Sequence, residues 1–239
     1  MKQTLFLSDL HLEDSEPART EWFLSFLTGP ARRADAVYIL GDLFEFWIGD
    51  DGLSHCARQV AQECSALHDG GVPCYFIHGN RDFLLGEAYA SAAGMQLLPE
   101  TQVVDLYGTP TLLLHGDSLC TDDTEYQAFR QQTRNPAWQA GVLALSIEER
   151  LQMARGARDA SKEHTGSTAM DIMDVNADAV AAAFRKHNVA RMIHGHTHRP
   201  AVHQLDLGEF TAERIVLADW YGEGSYLEVN AEGAKSKAL

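Results

Sequence analysis

Five short blocks of the chain end in side chains that hold divalent metals. They are Asp9 and His11 in SDLH, Asp42 in LGD, Asn80 in HGN, His115 in LHGD, and His196 with His198 in HGHTH. Together they offer carboxylate and carboxamide oxygens, four imidazoles and no thiolate. Seven such ligands exceed the needs of one tetrahedral ion. They suit two six-coordinate ions that share a bridging carboxylate and a solvent ligand. Imidazole mixed with carboxylate and amide oxygen favours Mn, Fe or Zn over Mg or Ca.

Each block closes an apolar run rich in β-branched and aromatic residues: TLFLSDLH, AVYILGD, CYFIHGN, TLLLHGD and RMIHGH. These runs predict buried strands. Open α/β sheets bind ligands just beyond the carboxyl ends of their strands, so the five blocks converge on one place. Gly41, Gly79, Gly116 and Gly195 stand where the chain must turn sharply beside them. Taken singly, a GD after a strand is a turn and a DxH is nothing; the order of all five carries the metal reading. His78 and His194, just inside their strands, read as packed core residues. His55, His68, His164, His187 and His203 read as solvated surface.

The elements between the blocks are helical. TEWFLSFL is one, and SHCARQVAQECSALHDGG is another, opened by Ser54 and closed by Gly70 and Gly71. Alternation of strand and helix predicts an α/β sandwich with parallel pairing in its first half. ERIVLADW and SYLEVNAEG, separated by YGEG, predict an antiparallel hairpin finishing one sheet. Residues 122–178 break the alternation with helical periodicity almost throughout. They predict a helical insertion over the sheet's edge, dividing a core of residues 1–121 and 179–239.

Composition bounds the rest. The chain has 239 residues, 45% of them hydrophobic, which excludes a disordered protein and allows one large domain with an insertion. Its net charge of -15 opposes nonspecific binding to nucleic acid, and no protein partner is implied. Cys56, Cys64, Cys74 and Cys120 show no CxxC spacing, and the chain opens directly on a strand pattern, so a reducing cytoplasm is the expected home. No apolar run approaches the roughly 20 residues of a spanning helix, which leaves peripheral contact as the expected membrane relationship.

SDLH, LGD, HGN, HG and GHTH, in this order and across nearly the whole chain, resemble the calcineurin-like metallophosphoesterases. The resemblance implies a β-sandwich flanked by helices. It also implies that Asp9, His11, Asp42 and His198 hold one metal, while Asp42, Asn80, His115 and His196 hold the other. The departure is Arg81, where most of that superfamily has histidine. GNRDF, YILGDLFEFWIGDD, HGDSLCTDD and MDIMDVN resemble one branch, the UDP-2,3-diacylglucosamine hydrolases of lipid A biosynthesis. That resemblance implies two Mn²⁺ ions per chain and attack of water on the α-phosphorus of UDP-2,3-diacylglucosamine. The implied products are UMP and 2,3-diacylglucosamine 1-phosphate (lipid X), made at the cytoplasmic face of the inner membrane. Arg81, Asn80 and His196 are then the expected catalytic contacts to phosphoryl oxygens. Asp123, Ser161, Thr165 and Thr168 are the expected further contacts to the glucosamine.

Leaving-group chemistry supports the arginine independently. An ester expels an alkoxide and gains from a neighbouring acid. A pyrophosphate expels a phosphate whose last pKa is about 6, which departs without a proton. A fixed guanidinium fork then serves better than an imidazole. A plain Arg81 to Asp82 turn contact is the alternative. The insertion likewise carries two readings. Arg130, Arg134, Arg150, Arg155, Arg158 and Lys162, with Tyr126, Phe129, Trp138, Met153 and Ile172, describe either an amphipathic cap with a solvated basic face or a lid. As a lid, its apolar side takes acyl chains and its basic side approaches an anionic membrane surface. The loop FEFWIGDD, residues 44–51, either walls that pocket or packs inward.

Overall fold

Thr4–Leu7 (β1) is buried along its whole length, as a strand covered on both faces must be. The computed structural model describes residues 2–167 and 172–239. After β1 the chain alternates through α1 (Pro17–Thr28), β2 (Ala36–Ile39), α2 (His55–Asp69), β3 (Cys74–Phe76), α3 (Glu87–Ala92) and β4 (Met95–Leu97). β5 (Thr101–Leu106) and β6 (Thr109–Leu114) form a hairpin. The helices α4 (Thr124–Thr133), α5 (Pro136–Leu143), α6 (Ile147–Ser167) and α7 (Ala177–His187) follow. The chain ends with β7 (Arg191–His194), β8 (Ala201–Asp206), β9 (Thr211–Val216), β10 (Ser225–Asn230) and β11 (Gly233–Ala238).

Among the described residues these strands make two sheets, ordered β11-β10-β1-β2-β3-β4 and β5-β6-β7-β9-β8. β1 to β4 pair in parallel, as the alternation predicts. Period-two side-chain direction explains the layers. Leu5 and Leu7 join a cluster with Phe23, Phe26, Val60 and Cys64 under the helices of the first sheet. Phe6 points the other way and meets Leu113, Ile193 and Ile215 between the sheets. Leu112 and Leu114 flank Leu113 and pack outward on Val180 and Phe184 of α7. Each such fully buried side chain contributes about 1.5–3 kcal/mol.

α2 forms where its sequence signals placed it. Ser54 caps it by accepting from the Ala57 amide at 3.1 Å, and Cys56, Val60, Cys64 and Leu67 make a buried stripe at helical spacing. One expectation fails. The ERIVLADW and SYLEVNAEG strands are not a hairpin, because β9 lies in the second sheet and β10 in the first. β9 pairs with β8 and β10 with β11, two half-exposed edge hairpins whose polar sequences hid them. α7 packs on the second sheet's core through Val180 and Phe184.

Candidate metal centre and cavity

All five blocks lie just past the carboxyl ends of β1, β2, β3, β6 and β7, and the loops that carry them are stitched together. The amides of Asp9 and His11 donate to the carbonyls of Gly41 and Asp42 at 3.1 and 3.0 Å, and the Gly195 amide donates to His115 at 2.8 Å. Asp9, His11, Asp42, His196 and His198 all have φ between 50 and 69°. That left-handed region is unfavourable for residues with a Cβ, and such strain, about 1–3 kcal/mol each, gathers at functional sites. Two glycines make the close approach possible. A Cβ on Gly79 would overlap the Asp42 carboxylate and amide, and one on Gly195 would overlap Ser8 and Asp9.

The side chains fall into two halves that share Asp42. His198 Nε2 lies 3.4 Å from Asp9 Oδ1 and 3.4 Å from His11 Nε2, which is 3.9 Å from Asp42 Oδ2. On the other side His115 Nε2 lies 3.7 Å from the same Asp42 oxygen and 3.0 Å from Asn80 Oδ1, which is 2.9 Å from His196 Nδ1. Asp9 Oδ1 is buried without an aligned hydrogen-bond donor. Paired imidazole nitrogens around an unsatisfied carboxylate oxygen are what a divalent cation would satisfy. The donor set therefore fits the expected ion pair. Asp9, His11 and His198, and separately Asp9, Asp42 and His115, bring ligand atoms within 4.8 Å of one another.

Electrostatics follow the geometry. Burial alone would raise the Asp9 carboxyl, but the imidazoles of His198, His115 and His11 outweigh it and hold the group well below the usual range. Burial and the neighbouring His115 lower His196 to about 4, so its imidazole is neutral at physiological pH. His115 is fixed by its Nδ1 contact to the Leu40 carbonyl at 2.8 Å, which turns Nε2 to the centre.

Asp82, the last residue of the GNRD block, is a support that sequence reasoning passed over. Its buried carboxylate accepts from the amides of Gly79, Leu43 and Asp42 at 2.9, 2.7 and 3.3 Å, joining the β2 and β3 loops. Burial and the Asp42 charge push it up to about 6. The Arg81 amide donates to Asp42 Oδ1 at 2.8 Å, while its guanidinium reaches across to Ser161 Oγ at 3.2 Å.

Arg81 and Asn80 border a cavity of about 430 Å³ between the core and α4 to α6. Its walls are mostly apolar and include Trp47, Phe83, Tyr126, Phe129, Trp138 and Met153. The FEFWIGDD loop thus both walls the cavity and packs inward: Phe46 and Trp47 line it, and Phe44 and Trp47 are buried. Several basic residues of the insertion turn toward the core. Arg134 donates to the Gly79 carbonyl at 2.9 Å, and Arg130 pairs with Asp117 at 2.9 Å and with Glu100. Arg150 forms a bidentate pair with Asp51, both contacts 2.6 Å, and Arg158 pairs with Glu45.

Among the expected sugar contacts, Ser161 lines the cavity, whereas Asp123 caps α4 by accepting from the Tyr126 amide at 3.0 Å. The Thr165 side chain and all of Thr168 lie outside the described residues. His194 is a buried core histidine held by the Gly195 carbonyl at 2.8 Å and Arg214 at 3.2 Å, and His78 contacts the Leu85 carbonyl at 2.7 Å.

Comparison with known proteins agrees with this geometry. A calcineurin-like phosphoesterase family model matches residues 2–200. A UDP-2,3-diacylglucosamine hydrolase of Escherichia coli O81 is 55% identical over 229 residues, spanning 96% of this chain and 95% of that protein. A protein of the same name from Shigella boydii serotype 18 matches at the same identity and coverage. The chain belongs to the calcineurin-like phosphoesterases and, within them, to the family of the UDP-2,3-diacylglucosamine hydrolases.

Proposed function

We propose that this chain hydrolyses the pyrophosphate bond of UDP-2,3-diacylglucosamine by water attack on the α-phosphorus, releasing UMP and lipid X. The observation that carries the reading is the apolar cavity that begins at Asn80 and Arg81, beside the candidate metal centre. A phosphate and a pair of acyl chains need this juxtaposition of cationic and apolar surface, each buried methylene contributing about 0.8 kcal/mol. The similarity to hydrolases of that name supports the same substrate.

Two Mn²⁺ ions are the proposed cofactors, one on Asp9, His11, Asp42 and His198, the other on Asp42, Asn80, His115 and His196. When bound, such ions acidify the attacking water and supply positive charge to the phosphoryl oxygens. The chain's own residues do the remainder. Arg81, Asn80 and His196 hold phosphoryl oxygens as charge builds, and the lipid phosphate departs without a proton. Asp42 fixes the Arg81 backbone, and Ser161 steadies the guanidinium from the insertion. The insertion, residues 122–178, acts as the lid on the core of residues 1–121 and 179–239, excluding bulk water while the single attacking water remains at the reacting bond. Asp123 shapes the site through α4, and Thr165 and Thr168 complete the proposed glucosamine contacts.

Phe129, Leu143, Ile147, Met153 and Ile172 are exposed on or beside the insertion, and no described helix is long and apolar enough to cross a membrane. This rim is the proposed peripheral contact with the cytoplasmic face of the inner membrane, where an acylated substrate would be found. The test is hydrolysis by the purified chain with Mn²⁺, offered UDP-diacylglucosamine, UDP-N-acetylglucosamine, a cyclic dinucleotide and p-nitrophenyl phosphate. UMP from the acylated substrate alone is the expected result. Turnover of the generic ester alone would sink the proposal.

A further inference from the structure

Glu45 lies 3% exposed in the FEFWIGDD loop, an acid within an aromatic run. Its Oε2 sits 3.1 Å from His11 Nδ1, and its Oε1 sits 2.6 Å from Arg158 Nε on α6. Among the described residues neither His11 Nδ1 nor Glu45 Oε2 meets any other hydrogen-bonding partner. Burial forbids either atom to go unpaired, so each is the other's natural partner once the Nδ1 proton is aligned. The opposite ring nitrogen, His11 Nε2, faces His198 and Asp42.

His11 is also held through its backbone. Its left-handed conformation is braced by Arg19, which donates to the His11 carbonyl at 2.8 Å. Arg19 and Arg158 share a second carboxylate, Glu13 Oε1, at 3.8 and 3.4 Å. Both anchors of His11, side chain and carbonyl, therefore lead to one helix of the insertion. The carboxylates of these pairs are largely buried, so removing one partner leaves an uncompensated charge and costs more than it would at the surface.

We propose that Glu45 is the positioning carboxylate of His11, turning Nε2 toward the metal centre, and that Arg158 makes this hold depend on where α6 stands. Closure of the insertion over the cavity then tightens the half of the centre built on His11. By linkage, ion binding at that half holds the insertion closed by the same factor. An orienting carboxylate beside a ligating imidazole sets its tautomer and direction, and its loss commonly costs 10–100-fold in affinity. A residue far from phosphorus in sequence would thereby couple substrate enclosure to metal retention.

The inference rests on the metal reading, and one experiment separates the two. Mn²⁺ is titrated into the full chain, E45A, E45Q, R158A and R158K, with free aquated Mn²⁺ followed by electron paramagnetic resonance. The chain is expected to take up two ions. Glu45→Ala should weaken one of them 10–100-fold and leave the other unchanged, with Glu45→Gln between, since its amide oxygen still accepts from Nδ1–H. Amide exchange in α6 should slow on adding Mn²⁺ to the unsubstituted chain, not in R158A, and again in R158K. Equal uptake by E45A and the parent chain overturns the role of Glu45 alone. Equal Mn²⁺-dependent protection of α6 in R158A overturns the coupling. A parent chain that binds no ion overturns both this inference and the metal reading beneath it.

Discussion

The Nε2 atoms of His11 and His198 lie 3.4 Å apart beside a buried Asp9 oxygen that has no aligned donor. Such an arrangement is held by the fold at a cost, and a cation between the groups removes that cost. Adding Mn²⁺ should therefore raise the unfolding temperature, and chelation should reverse the rise. At a free ion concentration 100 times the dissociation constant the gain is about 2.7 kcal/mol. Thermal scans of the chain with Mn²⁺ and with chelator check it, and identical scans would contradict the assigned centre.

Gly79→Ala should damage the site more than the fold. Its Cβ would overlap Asp42, the proposed shared ligand, so Mn²⁺ uptake should fall at least tenfold, with a stability loss of about 1–3 kcal/mol. Gly156→Ala is the control, because a Cβ there meets nothing within 4 Å inside α6. It should stabilise by about 0.5–1 kcal/mol. Metal titration and urea unfolding of both variants decide the comparison.

Asp14 should contribute a pH-dependent anchor. Its carboxylate accepts from the amides of His55 and Cys56 at 3.1 and 2.7 Å, at the start of α2. Partial burial raises its pKa, but the two amides outweigh that and hold it below the ordinary value. A carboxyl lowered in the folded state stabilises above its unfolded pKa, and the contribution is lost as pH falls through the folded value. Asp14→Asn should therefore be less stable at pH 7, by up to about 1 kcal/mol, and the gap should begin to narrow as pH falls below about 4. Urea unfolding at pH 7 and pH 3 measures it.

Arg81→His should lower pyrophosphate cleavage by tenfold or more while leaving Mn²⁺ uptake near the parent level. The guanidinium borders the cavity and reaches Ser161, but Arg81 touches the candidate ligands only through its backbone amide on Asp42. Kinetics on the acylated substrate beside a metal titration check both halves. Normal values for each would refute the leaving-group argument.

The place of the candidate ligands was legible because each block ends an apolar run, so period and position agreed. The left-handed backbone of Asp9, His11, Asp42, His196 and His198 was not legible, since Asp and His at positive φ leave no mark in sequence apart from neighbouring glycines. The separation of β9 from β10 into different sheets was hidden because a strand pattern does not name its partner. β8 and β11 escaped notice because edge strands that are half exposed lose the apolar run. The loop carrying Glu45 read as either a pocket wall or inward packing, and the meeting of Glu45 with His11 depends on a contact between residues on different loops. Arg150 and Arg158 read as surface charge, yet the carboxylates that turn them inward lie about a hundred positions earlier in the chain.

In the proposed reaction water attacks the α-phosphorus while the lipid phosphate leaves. Hydrolysis of UDP-2,3-diacylglucosamine in ¹⁸O-labelled water, with mass analysis of both products, tests it most directly. One ¹⁸O atom in UMP and none in lipid X is the expected outcome. Label in the lipid phosphate would contradict it.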